Sequence, residues 1–373
     1  MSLDHVKIGF IPLVDAAVPI VAADLGFAAA EGIEIELFRE ISWSNIRDRL
    51  TLGHFDAAHL LAPLAIATSL GLNSIKAPLA VPLALNLNGN AVTLAPHLHD
   101  ELMERLPDGS DPGDPRATGA ALKRLVEDRR ANGEQPPVLG MTFPFSTHNY
   151  QLRLWIAAAG LNPDEDVRLA VVPPPYMVDA LENAHVEGFC VGAPWNSVAV
   201  ELGLGRILHL GVDFATSCPE KVLAVRESWL GERPELAARL IRAMVAAGEW
   251  LERSEHRQEA AELLGASSRL DVAPAIIRRA LDGRLSTGVG DRALTDDRYL
   301  VFARDGAMRP DERHARWLHG QMARWGQAGD GPDEEALAAA VYRPSAFDSA
   351  IGGPISLAAD PLGLKIGGLV QSG

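Results

Sequence analysis

Segments typical of β-strands alternate with segments typical of α-helices over the first 80 residues of the chain. The strand-like segments are Val6–Ile11, Ile33–Phe38 and His54–His59, and the intervening segments, such as Pro19–Ala30, have a helical composition. When strands alternate with helices, the strands pair in parallel and the helices cover both faces of the sheet. The pattern therefore predicts an α/β fold.

A second strand–helix series follows the loop at Leu106–Arg116 and extends from Pro137 to Gly203. From Pro234 the pattern changes to amphipathic helices, and the last thirty residues are rich in Gly and Pro. Two such series predict two α/β lobes with a cleft between them. One large α/β domain with a helical cap is the alternative that the pattern leaves open.

Acidic residues outnumber basic ones in this chain. The 373 residues include 49 Asp and Glu against 34 Lys and Arg, a formal net charge of −15. Since basic surfaces dominate binding to a phosphate backbone, we expect no direct contact with nucleic acid. No apolar run reaches the roughly 18 residues of a membrane span, and no signal-peptide pattern precedes the first strand. We therefore expect a cytoplasmic protein that does not enter a membrane.

The segment MTFPFSTHNYQLRLWIAAA, residues 141–159, predicts a helix whose first turn carries hydroxyl groups and an imidazole. Ser146 or Thr147 can cap this helix, and His148 falls in its first turn. The N–H groups at a helix N-terminus are unpaired and carry a partial positive charge, so the turn is a candidate anion site. Simple capping beside a solvated His148 is the commoner alternative.

Four other segments place informative side chains at turns. Trp43 precedes a short helix over Ser44–Leu52 and could wall a pocket and donate its indole N–H, although a Trp in the core is commoner. Asn90 follows an Asn-Gly turn, and Gly188–Asn196 forms a turn at the carboxyl edge of a sheet, where ligands of open α/β folds bind. Lys221 lies near a lobe boundary, although most lysines are simply exposed.

Motifs for catalysis and for metal binding are missing from the sequence. It contains no GxSxG, P-loop, HExxH or SxxK motif and no zinc-type spacing, and no pair of carboxylates stands out. Cys190 and Cys218 could form a disulfide, but two buried thiols are commoner in a chain of this length. We expect a binding protein with no cofactor and no metal, not an enzyme.

Taken together, the segments resemble the nitrate- and bicarbonate-binding proteins of cyanobacterial-type ABC transporters. The resemblance covers about residues 5–345 and is carried by ISWSNIRDRLTLGHFDAAHLLAP, FPFSTHNYQLRLWIAAAGLNPDEDV, GFCVGAPWNSVAVELGLG and PEKVLAVRESWLGERPE. It implies a type II periplasmic-binding-protein fold, with crossovers near Asn88–Asn90 and Thr216–Lys221. The implied lobes are residues 1–89 with 220–345 and residues 90–219, followed by a C-terminal tail at residues 346–373.

The resemblance also implies the residues of an anion site. The family's ligand-binding positions carry over onto Trp43, Thr147, His148 and Lys221, and the family's Gln is Asn90 here. The wall of the site would include Ser146, Pro194 and Trp195. Ala193 stands where the family usually has a Glu, which puts one contact with the ligand or between the lobes in doubt.

The candidate ligand-binding side chains are hydrogen-bond donors, whereas nitrate and nitrite only accept hydrogen bonds. Bicarbonate has a hydroxyl that needs an acceptor, and its binding proteins resemble this chain but carry a Glu at the position of Lys221. Lys221 therefore favours nitrate or nitrite as the ligand. Because a buried lysine needs a nearby anion to offset its desolvation, we expect the ligand to be that anion.

Because the chain begins at its first strand, it resembles most the cytoplasmic nitrate and nitrite sensors of the NasS type. That resemblance implies a NasT-like partner, an RNA-binding antiterminator with an ANTAR domain. The free sensor would sequester the antiterminator, and the anion would release it to control nitrate-assimilation genes. The alternative is the solute-binding subunit of a nitrate or nitrite ABC transporter. An enzyme similar to the pyrimidine-precursor synthase of thiamine biosynthesis is disfavoured, because this chain lacks that protein's cysteine-rich motif.

Overall fold

The computed structural model describes residues 3–72 and 76–366, in which the strands form two five-stranded sheets and two small ones. The first large sheet has the order β2-β1-β3-β11-β4, and the second has the order β10-β6-β9-β7-β8. The strands are β1 (Asp4–Phe10), β2 (Ile33–Arg39), β3 (Ala57–Leu61), β4 (Leu79–Ala84), β5 (Leu87–Asn88), β6 (Asn90–Leu94), β7 (Val138–Met141), β8 (Arg168–Val171), β9 (Gly188–Gly192), β10 (Arg206–Leu210), β11 (Lys221–Arg226), β12 (Arg284–Ser286), β13 (Ala293–Thr295) and β14 (Leu300–Val301).

Helices cover both faces of each large sheet, and none of those described is long and apolar enough to span a bilayer. The α-helices are α1 (Ala17–Asp24), α2 (Phe27–Ala30), α3 (Trp43–Thr51), α4 (Ala62–Leu70), α5 (Pro96–Glu104), α6 (Pro115–Ala131), α7 (Thr147–Ala158), α8 (Met177–Glu182), α9 (Trp195–Glu201), α10 (Glu227–Glu232), α11 (Pro234–Glu252), α12 (Arg257–Gly265), α13 (Pro274–Leu281), α14 (Glu312–Arg324), α15 (Pro332–Ala340) and α16 (Pro344–Ile351).

Both large sheets are mixed, so the expectation of a parallel sheet was wrong for part of each. In the first sheet β1 is parallel to β2 and β3, but β11 is antiparallel to β3 and β4. In the second sheet β7 is parallel to β8 and β9, but β6 is antiparallel to β9 and β10. β6 and β11 enter their sheets directly from the connections between the sheets, without the crossover helix that a parallel neighbour requires.

The chain passes between the two large sheets twice. It leaves the first sheet at the end of β4 and enters the second with β6, then leaves β10 and returns with β11. This arrangement confirms the predicted α/β fold with two lobes. The lobe boundaries at residues 89 and 220 stay a prediction. The tail predicted from residue 346 begins inside α16, whose Phe347 and Ala350 are buried.

Each large sheet separates two apolar cores. In β3, Ala57 packs into the core on one face, whereas Ala58 and Leu60 pack into the core on the other. In β9, Cys190 and its neighbour Phe189 likewise face different cores. Because successive strand residues point to opposite faces, these fully buried strands are apolar except for His59 in β3.

Local capping sets the ends of the helices that carry the candidate residues. Ser42 Oγ accepts from the Asn45 N–H at 3.2 Å, and Ser146 Oγ accepts from the Asn149 N–H at 3.1 Å. Helices α3 and α7 therefore begin at the following residues, which makes Trp43 the first helical residue instead of the one before the helix. Gly26, with a φ of 80°, divides the predicted helix at Pro19–Ala30 into α1 and α2.

Candidate functional site

Polar side chains from both large sheets meet at the carboxyl ends of the parallel strands. The first sheet contributes Asp15 in the turn after β1, His59 in β3 and Lys221 at the start of β11. The second contributes Asn90 at the start of β6 and His148 in α7, which follows β7. All five residues are at most 2% exposed. This edge is where open α/β folds bind ligands, because loops and helix N-termini converge there.

The Lys221 ammonium is the positive centre of this cluster. Its Nζ lies 2.8 Å from Asp15 Oδ2 and 3.2 Å from Glu220 Oε1, and it also lies 5.5 Å from the centre of the Trp43 ring. Burial lowers the pKa of Lys221, but the two carboxylates outweigh burial and raise it. Lys221 therefore stays charged, and the expectation that the ligand is the anion that offsets its desolvation was wrong, because Asp15 and Glu220 supply that charge.

Asp15 stays ionised because both of its carboxylate oxygens have partners. The Ile11 N–H donates to His59 Nδ1 at 3.4 Å, so the ring proton lies on Nε2, which donates to Asp15 Oδ1 at 2.8 Å. Burial alone would raise the pKa of Asp15, but the Lys221 charge and the His59 hydrogen bond lower it to about 2. Burial lowers the pKa of His59, so its ring is neutral.

Glu220 is the second carboxyl group in the cluster. Its Oε2 accepts a hydrogen bond from Asn90 Nδ2 at 2.9 Å and lies 3.7 Å from His148 Nε2. Burial raises the pKa of Glu220 to about 7 because the nearby charge of Lys221 only partly offsets it and Asp15 raises it further. At neutral pH Asp15 is therefore ionised, whereas Glu220 is close to its pKa and only partly ionised, although both carboxyl groups contact Lys221.

His148 and Thr147 connect the N-terminus of α7 to this cluster. Thr142 Oγ1 lies 3.1 Å from His148 Nδ1, and Thr147 Oγ1 donates to the backbone oxygen of Pro219 at 2.8 Å. Burial, aided by the charge of Lys221, holds the pKa of His148 well below its usual range. His148 is therefore a neutral imidazole, and Thr147 ties α7 to the connection that leads into β11.

Three buried nitrogen atoms of the cluster have no hydrogen-bond partner among the described residues: Trp43 Nε1, His148 Nε2 and Gln151 Nε2. Gln151 belongs to the cluster because its Oε1 accepts from Asn90 Nδ2 at 3.2 Å. Buried polar atoms are seldom left unpaired, because each one loses its hydrogen bonds to water. Two oxygen atoms of the cluster, Asn90 Oδ1 and Glu220 Oε1, likewise have no hydrogen-bond partner within the described part of the chain. The Lys221 ammonium and the unpaired nitrogens fit a small anion that accepts hydrogen bonds.

The family model of the NMT1-like family matches residues 2–265 of the chain. The chain belongs to the NMT1-like family. Since that match spans most of both large sheets, the family resemblance includes the candidate site as well as the N-terminal strands.

Relatives of this NMT1-like chain include proteins of anion transport systems. The nitrate/nitrite binding protein NrtA of Nostoc sp. (strain PCC 7120) is 32% identical over 325 residues, 86% of this chain and 70% of that protein. The bicarbonate transport ATP-binding protein CmpC of Synechococcus elongatus is 30% identical over 324 residues, 86% of this chain but 45% of CmpC. This chain therefore spans less than half the length of that relative.

A solved structure shares the fold of this NMT1-like chain. The crystal structure of the periplasmic nitrate-binding protein NrtA from Synechocystis PCC 6803 superposes with a TM-score of 0.86 and 28% identity, covering 94% of this chain and 89% of that one. These similarities confirm the expected periplasmic-binding-protein fold and the expected relation to nitrate- and bicarbonate-binding proteins.

The structure brings all five predicted ligand residues of this NMT1-like chain into the buried cluster or directly against it. These residues are Trp43, Asn90, Thr147, His148 and Lys221. Trp43 has an unpaired indole N–H and His148 an unpaired ring nitrogen, while the Asn90 amide and the Thr147 hydroxyl already donate to protein oxygens. Their role as ligands of an anion stays a prediction.

The residues predicted to wall the site have other contacts. Ser146 caps α7 and its hydroxyl donates to the Phe143 oxygen at 2.6 Å, so capping accounts for it. Pro194 is buried at the start of α9, and Trp195 is partly exposed and packs against apolar cores of both sheets. At Ala193, where the family usually has a Glu, the backbone oxygen accepts a hydrogen bond from the Val14 N–H at 2.8 Å. This position therefore links the two lobes through its backbone and not through a side chain.

Sequence reasoning missed two carboxylates that contact Lys221, Asp15 and Glu220, and two further members of the cluster, His59 and Gln151. No pair of carboxylates stands out in the sequence, yet the fold brings two of them into contact with Lys221. One signal was available, because Asp15 and His59 are lone polar residues inside apolar segments, PLVDAAVPIVAA and AAHLLAPLA. Such residues are buried only with partners, which marks them as candidate site residues.

Cys190 and Cys218 are both buried free thiols. Burial raises the pKa of each, so both are protonated at neutral pH. Within residues 3–72 and 76–366, no cluster of three or more His, Cys, Asp or Glu is arranged to hold a metal ion.

Proposed function

We propose that this chain binds nitrate or nitrite between its two lobes, at the cluster around Lys221. The observation that carries the proposal is the buried Lys221 ammonium, with the unpaired indole nitrogen of Trp43 beside it and the unpaired ring nitrogen of His148 in the same cluster. Nitrate and nitrite are small, carry one negative charge and only accept hydrogen bonds, so they match a cluster rich in donors. The similarity to proteins named for nitrate and nitrite binding supports the same ligand.

Bicarbonate is a second candidate ligand, because Glu220 supplies an acceptor within the cluster. The ionised Glu220 carboxylate could accept a hydrogen bond from the bicarbonate hydroxyl, which Lys221 cannot do. The presence of Lys221 therefore does not by itself exclude bicarbonate. Nitrate and nitrite remain favoured, because the similarity to the nitrate-binding proteins NrtA includes a solved structure with the same fold over 94% of this chain.

Isothermal titration calorimetry of the full chain with separate sodium salts of nitrate, nitrite and bicarbonate tests the ligand. We expect one anion per chain for nitrate or nitrite, and a rise in Tm with the same anion, because a ligand of the folded state stabilises it by mass action. Sodium chloride at equal concentration is the control. Absence of both heat and a Tm shift with nitrate and nitrite would reject the proposal.

We further propose that the bound anion is used in transport, as the solute-binding subunit of an ABC transporter. The similarity to NrtA and CmpC, both named for transport or binding of these anions, supports this use. The second candidate is the cytoplasmic NasS-type sensor, which would sequester a NasT-like antiterminator. The net charge of −15 is compatible with a basic RNA-binding partner.

Two measurements separate the transporter subunit from the sensor. A sensor forms a complex with a purified ANTAR-domain antiterminator, and nitrate or nitrite dissociates that complex. A transporter subunit gives no such complex, and the reading frame upstream of Met1 would encode an export signal. A stable complex that nitrate dissolves would overturn the transporter role in favour of the sensor.

A further inference from the structure

We infer that Glu220 takes up one proton when the anion binds, so that nitrate or nitrite enters the site together with a proton. The inference rests on the proposed function and adds to it. The proton comes from the buffer acid in solution and forms one O–H bond on the Glu220 carboxyl group, and no electrons are transferred.

The charges around Lys221 require such a proton. Asp15 and Glu220 both face the ammonium, at 2.8 Å and 3.2 Å, and all three side chains are at most 2% exposed. With both carboxylates ionised, the cluster has one excess negative charge, and a bound nitrate would add a second. Excess charge in a buried region is costly because little water remains to solvate it. A proton on Glu220 leaves the net charge of the cluster unchanged by binding.

Glu220 is better placed to accept this proton than Asp15. Asp15 receives one hydrogen bond from Lys221 and one from His59, both at 2.8 Å, so protonation would disrupt two short contacts to a carboxylate. Glu220 has a longer contact with Lys221 and a neutral amide donor, Asn90. The raised pKa of Glu220, about 7, and the lowered pKa of Asp15 agree with this order.

The other titratable groups that face Glu220 are poorer proton acceptors. Lys221 is already protonated, and the raised pKa values of Cys190 and Cys218 keep both thiols neutral. His148 approaches Glu220 from α7, but burial and Lys221 disfavour its charged form. His59, behind Asp15, would lose the hydrogen bond that its Nδ1 accepts from Ile11.

The proton also changes what Glu220 offers to a ligand. An ionised carboxylate only accepts hydrogen bonds, whereas a protonated carboxyl group has one O–H donor. Nitrate and nitrite need donors, so the protonated form suits them in hydrogen bonding as well as in charge.

Calorimetry of the full chain with sodium nitrate measures the proton directly. At pH 8 the titration is run in HEPES, Tris and tricine, whose ionisation enthalpies differ, and the slope of binding enthalpy against ionisation enthalpy gives the protons taken up. We expect a value close to one at pH 8 and a much smaller value at pH 6, measured in MES and Bis-Tris, where Glu220 is already protonated. The Kd for nitrate should rise roughly tenfold per pH unit above pH 7.

The variant Glu220→Gln assigns the proton to its residue, because an amide keeps the shape of the side chain but does not titrate. We expect no proton uptake in this variant and the same Kd at pH 6 and pH 8. Glu232→Gln, on an exposed residue of α10, is the control and should take up the proton as the parent does. Should Glu220→Gln fail to fold, the buffer series on the parent chain still decides whether a proton is bound.

The outcomes distinguish this inference from the proposed function. Nitrate binding with an enthalpy that is independent of the buffer at pH 8 would overturn the inference and leave the proposed function intact. Undiminished proton uptake in Glu220→Gln would place the proton on another group and equally overturn it. Absence of nitrate binding at both pH values would reject the proposed function and the inference together.

Discussion

The Lys221 ammonium lies 2.8 Å from Asp15 Oδ2, although 206 residues separate the two in the chain. Both side chains are almost completely buried, and both come from the carboxyl edge of the first sheet. A buried charge without a partner is far less stable than a buried pair. The burial of Asp15 and the burial of Lys221 in their charged forms therefore depend on each other. The charge of the Lys221 ammonium is therefore stabilised within the folded chain and does not require an anion from solution.

Replacing Lys221 by Met should reduce both stability and anion binding. The substitution leaves Asp15 and Glu220 buried without their cation, and removal of one partner of a buried ion pair costs about 3–5 kcal/mol. Urea unfolding at pH 8 followed by circular dichroism measures this loss. Lys123→Met, on a partly exposed residue of α6, is the control and should change stability by less than about 0.5 kcal/mol. Equal stability of the Lys221→Met and parent proteins would contradict the buried pair.

Replacing Trp43 by Phe should weaken nitrate binding while the ring remains beside Lys221. The change removes the unpaired indole N–H, and the loss of one hydrogen bond of about 1 kcal/mol raises Kd roughly fivefold. Trp229→Phe is a matched control, because Trp229 is also buried with an unpaired Nε1 but packs in the core formed with α11. Calorimetry should show an unchanged Kd for that control. An equal rise in the Kd for nitrate in Trp43→Phe and Trp229→Phe would mean that Trp43 has no specific role in binding.

Replacing His148 by Ala should raise the Kd for nitrate by the same factor at pH 6 and at pH 8. The lowered pKa of His148 keeps the imidazole neutral at both values, so the same uncharged group is lost at pH 6 and at pH 8. The comparison is the ratio of variant to parent Kd at each pH, which removes the pH dependence of the rest of the site. A larger ratio at pH 6 would show that the imidazolium binds the anion.

Asp15 should contribute to stability at neutral pH but not in strong acid. Its pKa is lowered from 3.8 to about 2 in the folded state, so its ionised form stabilises the fold above pH 4 and this contribution is lost as pH falls towards 2. The pKa difference corresponds to about 2 kcal/mol. Urea unfolding at pH 7, 4, 3 and 2.5 should show that the free energies of unfolding of the parent and of Asp15→Asn differ less as the pH falls. A difference of constant size over this range would contradict the lowered pKa of Asp15.

The sequence predicted the elements whose ends depend on nearby residues. The alternation of segments indicated the α/β class, and the capping Ser146 indicated the start of the helix Thr147–Ala158, which ends before Gly160 with its φ of 78°. Caps and left-handed glycines act over three or four residues, so they can be recognised without the tertiary structure. The antiparallel entry of β6 and β11 was not predicted, because strand direction depends on connections that span the molecule.

The sequence by itself predicted Trp43, Asn90, Thr147, His148 and Lys221 as candidate donors, because residue types, local caps and the motifs that carry the family resemblance can all be recognised in short segments. Only the tertiary structure decided that Asp15, His59 and Glu220 surround Lys221. Desolvation and Coulomb energy depend on distances between side chains, and here those distances join residues from β1, β3 and β11. The ionisation of the site is therefore a consequence of folding and could not be read from any one segment.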